Sequence, residues 1–331
     1  MLRVAVIGSG TMGMVHSNAY EQMPDVHLAG IVDRSQVRGE TLARERGTNA
    51  YRSLDDLFAN EQVDVVDICL PTDLHRVYAD KAFTAGKHVI CEKPIARTLS
   101  DALAMRDASQ AAGVQLHVAQ VLRFFPEYKA AREIVQRGEL GEIGMAQAVR
   151  GGVFPQGTED WYASVERSGS LIVDMMIHDF DFFRWCFGEI ERVYSRNLLH
   201  NEMNRIDHAF VSLRFKNGVI AHLEGTWAYP SGFHTVLELA GREGTLRHRS
   251  EDSVPVEAFL HAQVASAGGV AVPESPLLKD PYYAELEHFI ECIAGNVQPI
   301  VSVHDAIMAL EISLAALESA QTGRVISMRE Y

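Results

Sequence analysis

Cysteines, long apolar runs and an excess of basic charge are what this chain has least of. Its four cysteines, Cys69, Cys91, Cys186 and Cys292, stand far apart, without the C-x-x-C spacing of a metal ribbon or a dithiol redox pair. Free thiols in a reducing compartment are therefore expected, with no disulfide framework. Lys and Arg total 30 against 44 Asp and Glu, a formal charge of −14. Nucleic acid and acidic membranes both require a basic face, so neither is an expected partner. No uncharged apolar run approaches the length of a membrane span. The first residues enter a strand pattern at once and leave no room for a signal peptide, so a cytoplasmic protein is expected.

At 331 residues the chain exceeds one ordinary core and fits two domains. Its hydrophobic fraction of 47% and charged fraction of 22% are those of a folded protein. Residues 2–7, 28–32, 63–70, 88–91 and 114–121 read as short apolar strands. Between them, 11–23, 35–46, 74–85 and 100–112 read as helices, stopped by Pro24, Gly47, Gly86 and Gly113. This alternation predicts a parallel sheet covered on both faces. The rhythm changes after Arg123. A helix over 126–137, a strand over 143–150 and an apolar helix over 170–187 precede strands at 190–199, 208–215, 219–227 and 235–239. Asn217-Gly218 is a two-residue hairpin signal, so the second sheet should be mostly antiparallel. Residues 265–276, rich in Gly, Ala, Ser and Pro, read as a surface loop. Pro281 opens and Gly295 stops one closing helix; Ser302 caps and Gly323 stops the last. The expected fold class is α/β: a doubly wound parallel sheet over 1–121, then an α/β domain with an open, mostly antiparallel sheet over 122–331.

Gly8, Gly10 and Gly13 form a G-x-G-x-x-G fingerprint between the first strand and the first helix. The first glycine allows a tight turn, the second lets the backbone approach a pyrophosphate, and the third lets helix and strand pack closely. The positive end of the helix then favours phosphate. Asp33 closes the second strand, where a carboxylate accepts hydrogen bonds from both adenosine ribose hydroxyls. It would also repel a 2′-phosphate, which favours NAD. Arg34 next door could pair with that phosphate, so NADP remains open. Thr11, Met12, Pro71, Thr72, His75, Glu92 and Lys93 complete the expected cofactor contacts.

Lys93, followed by Pro94, is expected at the C-terminal edge of a parallel strand, where open α/β sheets bind ligands. The run 170–187 is apolar nearly all round, hence buried, yet carries Asp174, His178, Asp179 and Asp181. Buried acids and imidazoles cost free energy unless paired. Asp174 and His178, four apart, should share a helix face, either as a satisfied hydrogen-bonded pair or as an acid/base pair facing a sugar. A metal site using Asp174, His178 and Asp179 finds no third ligand with suitable spacing, and no metal is expected.

Together these features resemble the Gfo/Idh/MocA oxidoreductases, relatives of glucose-fructose oxidoreductase and inositol dehydrogenase. The resemblance rests on the glycine fingerprint followed by His16, Glu92-Lys93-Pro94, Leu122-Arg123-Phe124, the segment from Gly169 to Asp181, and Tyr282-Tyr283-Ala284-Glu285. It covers essentially the whole chain. It implies a Rossmann domain joined to an α/β domain whose open sheet forms a homodimer or homotetramer interface. It also implies that Lys93, Asp174 and His178 surround a sugar or polyol hydroxyl. His178, oriented by Asp174, would take the proton as hydride leaves, with Lys93 holding and polarising the oxygen. Lys93 as the base is the close alternative. Arg123, Trp161 and Tyr283 are further substrate candidates: Arg123 for a polar or anionic substituent or else a structural ion pair, Trp161 for stacking on a pyranose or else simple packing. Met175 stands where inositol dehydrogenases usually carry a hydroxyl residue, and Leu122-Arg123-Phe124-Phe125 where they tend to have Met-Arg-Arg-Phe. Inositol is thus one candidate among cyclic polyols, aldoses and keto-sugars. A non-catalytic NAD(P)-binding sensor is the competing function.

Overall fold

The computed structural model describes residues 1–198, 207–253 and 280–328; the surface loop expected over 265–276 lies outside them. Along the chain run β1 (Leu2–Ile7), α1 (Thr11–Glu21), β2 (Val26–Val32), α2 (Gln36–Glu45), β3 (Ala50–Tyr51), α3 (Leu54–Asn60), β4 (Val65–Ile68), α4 (His75–Thr84), β5 (His88–Glu92), α5 (Leu99–Ala112) and β6 (Leu116–Ala119). There follow α6 (Pro126–Gln136), β7 (Ile143–Val153), α7 (Val165–Ser168), α8 (Ser170–Asp174), α9 (Ile177–Phe187), β8 (Ile190–Leu198), β9 (His208–Phe215), β10 (Ile220–Thr226), β11 (Ala228–Gly241) and β12 (Thr245–Arg249). The chain closes with α10 (Pro281–Ile293), α11 (Val303–Thr322) and β13 (Ile326–Ser327). Among the described residues no helix is long and apolar enough to cross a membrane.

Two compact units result, and the first is discontinuous. It comprises residues 1–124 together with the described stretch 280–307, while the second takes 125–253 and 308–328. The single boundary expected at residue 121 is therefore corrected: α10 returns to the first unit. Its Leu286, Phe289 and Ile290 enter the same core as Val4, Val6, Tyr20 and Ile31. An apolar helix stripe reveals that a helix is covered, not which layer covers it.

In the first unit all strands are parallel, in the order β3-β2-β1-β4-β5-β6. Val4–Ile7 of β1 and the whole of β4 are buried, the unbroken apolar reading of a sheet covered on both faces. The strand order reverses between β1 and β4, and ligands of such sheets bind beyond the carboxyl ends at that reversal. Two elements escaped the sequence reading. β3 is only two residues long, and α3 only seven, capped by Ser53, whose hydroxyl accepts from the Asp56 amide.

The second sheet runs β12-β11-β7-β10-β9-β8-β13; only β7 and β10 pair in parallel. On β9, Ala209, Val211, Leu213 and Phe215 are buried while Phe210 and Arg214 face outward, the period of two of a half-covered strand. The covered face meets α8, and Phe187 of α9 sets its ring 5.5 Å from that of Phe215. The expected hairpin is present: Gly218 has φ +98 and the Phe215 amide donates to the Val219 carbonyl at 2.9 Å. β11 is longer than predicted because the register shifts between Ala228 and Phe233, a bulge that absorbs Pro230 and Gly232.

Histidines of the first unit make it acid-sensitive. Burial, and then the nearby His288 and His88, lower His117 to about 4; burial also lowers His88 and His288. These rings fold neutral, so the unfolded chain binds their protons first as pH falls below about 6.5. Their stability is complete above that value and is lost toward pH 4. His117 alone should cost about 2 kcal/mol at pH 5. Denaturant titrations at pH 7 and pH 5, followed by far-UV circular dichroism, should show this loss, and His117→Asn should remove much of the difference.

Candidate active site

The turn after β1 is one that only glycines can make. Gly8 has φ +100, and a Cβ there would stand 2.3 Å from the Cys69 carbonyl oxygen. A Cβ on Gly13 would stand 1.8 Å from the Gly8 carbonyl, so α1 lies directly against the turn. Gly10, the N-cap of α1, is different: a Cβ there would meet nothing within 4 Å. Protein leaves that space clear beside the amino end of an eleven-residue helix opened by Thr11 and Met12, where phosphate oxygens are favoured. The cradle fits a dinucleotide pyrophosphate.

Asp33 is buried at the end of β2. Its Oδ2 accepts from the Ser9 amide at 3.0 Å and the Ser9 hydroxyl at 2.5 Å; its Oδ1 accepts from the Ser35 amide at 2.7 Å and from Arg38 at 3.1 Å. Burial alone would raise this carboxyl, but the bonds from Ser9, Ser35 and Arg38 hold it below its usual value. Asp33 is thus an anion aimed by the backbone. Ser9 and Arg38 are site residues that the sequence reading missed, and it is Arg38 that ion-pairs with Asp33, while Arg34 is exposed. Asp33→Ala should weaken NAD by roughly 1.5–3 kcal/mol per lost ribose bond and NADP by less. Titrations with both cofactors check this; equal losses would remove Asp33 as the selector.

Lys93 follows β5 directly, and its peptide bond to Pro94 is cis. The segment is braced from both sides. The Lys93 amide donates to Glu92 Oε2 at 3.0 Å. The buried His75 ring, at the start of α4, sets Nδ1 2.9 Å from the Pro94 carbonyl and Nε2 2.8 Å from the Leu70 carbonyl. His75, expected at the cofactor, therefore ties the lysine segment to the end of β4. Thr72 is buried in the turn between, and Pro71 is half-buried.

The other candidates divide between the units. Arg123 belongs to the first unit, almost wholly buried, and donates to the Ile300 carbonyl at 2.9 Å and to Asp305 at 3.4 Å. That geometry fills the structural alternative foreseen for it. Tyr283 is partly buried against the core of the first unit, as is Met12. Trp161, in the second unit, is buried with its ring 3.9 Å from that of Tyr162, which matches the packing alternative.

Asp174 and His178 also belong to the second unit, both half-buried, but not on one regular helix. The expected helix over 170–187 is broken at Met175-Met176: both amides bond the Leu171 carbonyl, at 3.0 and 3.1 Å. The His178 amide reaches Met175, not Asp174, so the shared helix face is corrected to two flanks of a break. Just upstream, Glu159, Asp160 and Ser170 have φ of 57, 51 and 69, left-handed conformations that non-glycine residues rarely adopt outside constrained sites. Asp179 is committed elsewhere. Its two oxygens accept from Arg150 at 2.8 Å each, deep in the second unit.

Comparison with known proteins adds to this geometry. Residues 2–120 match the family model described as an oxidoreductase family with an NAD-binding Rossmann fold, and 128–247 match the GFO/IDH/MocA C-terminal domain. The 1,5-anhydro-D-fructose reductase of Ensifer adhaerens is 30% identical, over 98% of each chain. The NAD-dependent scyllo-inositol 2-dehydrogenase of Bacillus subtilis is 29% identical, over 99% of this chain and 96% of that one. The crystal structure of GenD2 from gentamicin A biosynthesis, in complex with NAD, superimposes with a TM-score of 0.90 at 25% identity, covering 99% of this chain and 97% of that one. The chain belongs to the Gfo/Idh/MocA oxidoreductase family.

As a Gfo/Idh/MocA oxidoreductase it is an NAD(P)-dependent enzyme, and the cradle of Gly8, Gly10 and Gly13 with Asp33 suits NAD. What the sequence reading did not see is the polar group under the cradle: His16 of α1, Asp67 of β4 and Tyr20 are all fully buried. A signal existed. An acid in the middle of an apolar parallel strand has to be paired, and Asp67 is one.

Proposed function

We propose that this enzyme moves a hydride between NAD and a secondary alcohol or ketone of a sugar or cyclic polyol. The observation that carries the reading is the bracing of the Lys93-Pro94 backbone by Glu92 and His75, which sets a lysine at the carboxyl edge of the cofactor sheet. The relatives' names support the substrate class, since they include inositol, apiose, xylose and anhydrofructose enzymes. Bound NAD supplies the acceptor or donor of the hydride. Lys93 holds and polarises the substrate oxygen through its ammonium. His178 takes the hydroxyl proton in oxidation and returns it in reduction, with Asp174 orienting the ring. The glycine turn and Asp33 hold the cofactor. The same reading includes a homo-oligomer built through the outer face of the second sheet, which presents Phe210 and Ile220 to solvent.

The test is a turnover assay with NAD across cyclic polyols, aldoses and keto-sugars, followed at the nicotinamide absorbance. Reduction of NAD by at least one member supports the reading. NAD binding with no turnover on any of them would return the sensor to the front.

A further inference from the structure

Beneath the glycine turn, one buried imidazole faces two carboxylates. His16 Nδ1 stands 2.8 Å from Asp67 Oδ2 and His16 Nε2 stands 3.2 Å from Glu92 Oε1, with the ring fully buried. A neutral imidazole has one N–H and one lone pair, so one carboxylate would face a lone pair; only the imidazolium suits both. Burial works against that charge, yet the Asp67 carboxylate, by its charge and its hydrogen bond, raises His16 above its ordinary value. The neighbouring Cys69 is pushed up to about 12 by burial, so near neutral pH the anion beside the ring is Asp67.

Every group bearing on the ring fits this charge pattern. Tyr20, on the same helix, donates to Asp67 Oδ2 at 2.8 Å. From α10, Glu285 and Tyr282 face the cluster, and burial together with the surrounding carboxylates keeps both Tyr20 and Tyr282 neutral. Burial would raise Glu92, but the hydrogen bond and charge of His16, and then the charge of Lys93, hold it ionised. The other Glu92 oxygen accepts the Lys93 amide. Charge contacts thus link Asp67, His16 and Glu92, and a hydrogen bond links Glu92 to the Lys93 amide.

We propose that His16 is a positioning residue for the dehydrogenase reaction: its imidazolium, bridging Asp67 and Glu92, holds the Glu92 carboxylate against the Lys93 amide and offsets that carboxylate's charge beside the Lys93 ammonium. This rests on the reading of Lys93 as the residue that handles the substrate oxygen. An ammonium beside an uncompensated carboxylate keeps its proton to higher pH, and one relieved of its carboxylate releases it at lower pH. His16 and Glu92 therefore act on Lys93 in opposite directions.

The experiment compares wild type, His16→Gln and Glu92→Gln in kcat–pH profiles, with NADH titrations of each. The alkaline limb should move up by about one pH unit in His16→Gln and down by about one in Glu92→Gln, with the cofactor affinity of His16→Gln held within a few-fold. A merely structural role would lower kcat in both without opposed shifts. In the cofactor-free protein, nitrogen NMR of His16 should show both ring nitrogens protonated through the neutral pH range. Limbs that stay put or move together, or one bare ring nitrogen in that range, would overturn the proposal. If His16→Gln does not fold, the Glu92→Gln limb and the NMR signal decide it. Retained turnover in Lys93→Ala would instead sink the functional reading, whereas an inactive Lys93→Ala with unmoved limbs sinks this inference alone.

Discussion

Lys93→Ala should lower kcat by at least about a hundredfold while leaving NAD affinity within a few-fold of wild type. The two halves of that expectation have separate causes. Removing the ammonium takes away the group that holds the substrate oxygen as its charge changes. The scaffold, by contrast, does not depend on the side chain: Glu92 binds the residue's backbone amide, and His75 binds the Pro94 carbonyl. Nor does the substitution strand Glu92 without a counter-charge, because His16 remains 3.2 Å away. Steady-state kinetics with the best sugar or polyol, paired with a fluorescence titration of NADH, separates the effects. Activity above about a tenth of wild type would remove Lys93 from its assigned role. A large loss of cofactor affinity would instead make it a cofactor residue first.

The residues that sequence reasoning placed well share one property: their duty is local. Gly8 is required by its positive φ and Gly13 by its closeness to the Gly8 carbonyl, and their spacing is written in six consecutive positions. Asp33 and Glu92-Lys93-Pro94 sit at strand ends, which apolar runs announce. Pro281 and Gly295, or the Asn217-Gly218 turn, signal through backbone preferences that need no partner.

What stayed hidden depends on partners distant in sequence. Arg123 was legible as a cation, but not its capture by the Ile300 carbonyl and Asp305. His16 and Asp67 lie 51 positions apart, and nothing near either one names the other. The helix break at Met175-Met176 has no glycine or proline to mark it, and an apolar run reads the same with or without an offset turn. The return of α10 to the first core is likewise a matter of topology that periodicity cannot carry. Short edge strands such as β13, two residues long, form only because a neighbour is there to pair with them.

Asp179 joins both themes, since the sequence reading weighed it as a metal ligand, set that aside and named no partner for it, and the structure gives it to Arg150. The pair ties α9 to β7, and Arg150 also lies 3.2 Å from the Tyr128 hydroxyl on α6. Both partners are almost wholly buried, so Asp179→Ala should cost about 3–5 kcal/mol by leaving a guanidinium without its counter-ion. Replacing both, as Arg150→Met with Asp179→Leu, should recover most of that loss, because no uncompensated charge is left behind. The measurement can be confined to one unit. All three tryptophans, Trp161, Trp185 and Trp227, lie in the second, so fluorescence in a urea titration follows its unfolding alone. His178 is the next residue on the same short helix, so the single variant should also lose turnover at urea concentrations where NADH binding persists. If the double variant were no more stable than Asp179→Ala, the pair would be holding the elements by its specific geometry, and the cost of an orphaned charge would not be the reason for the loss.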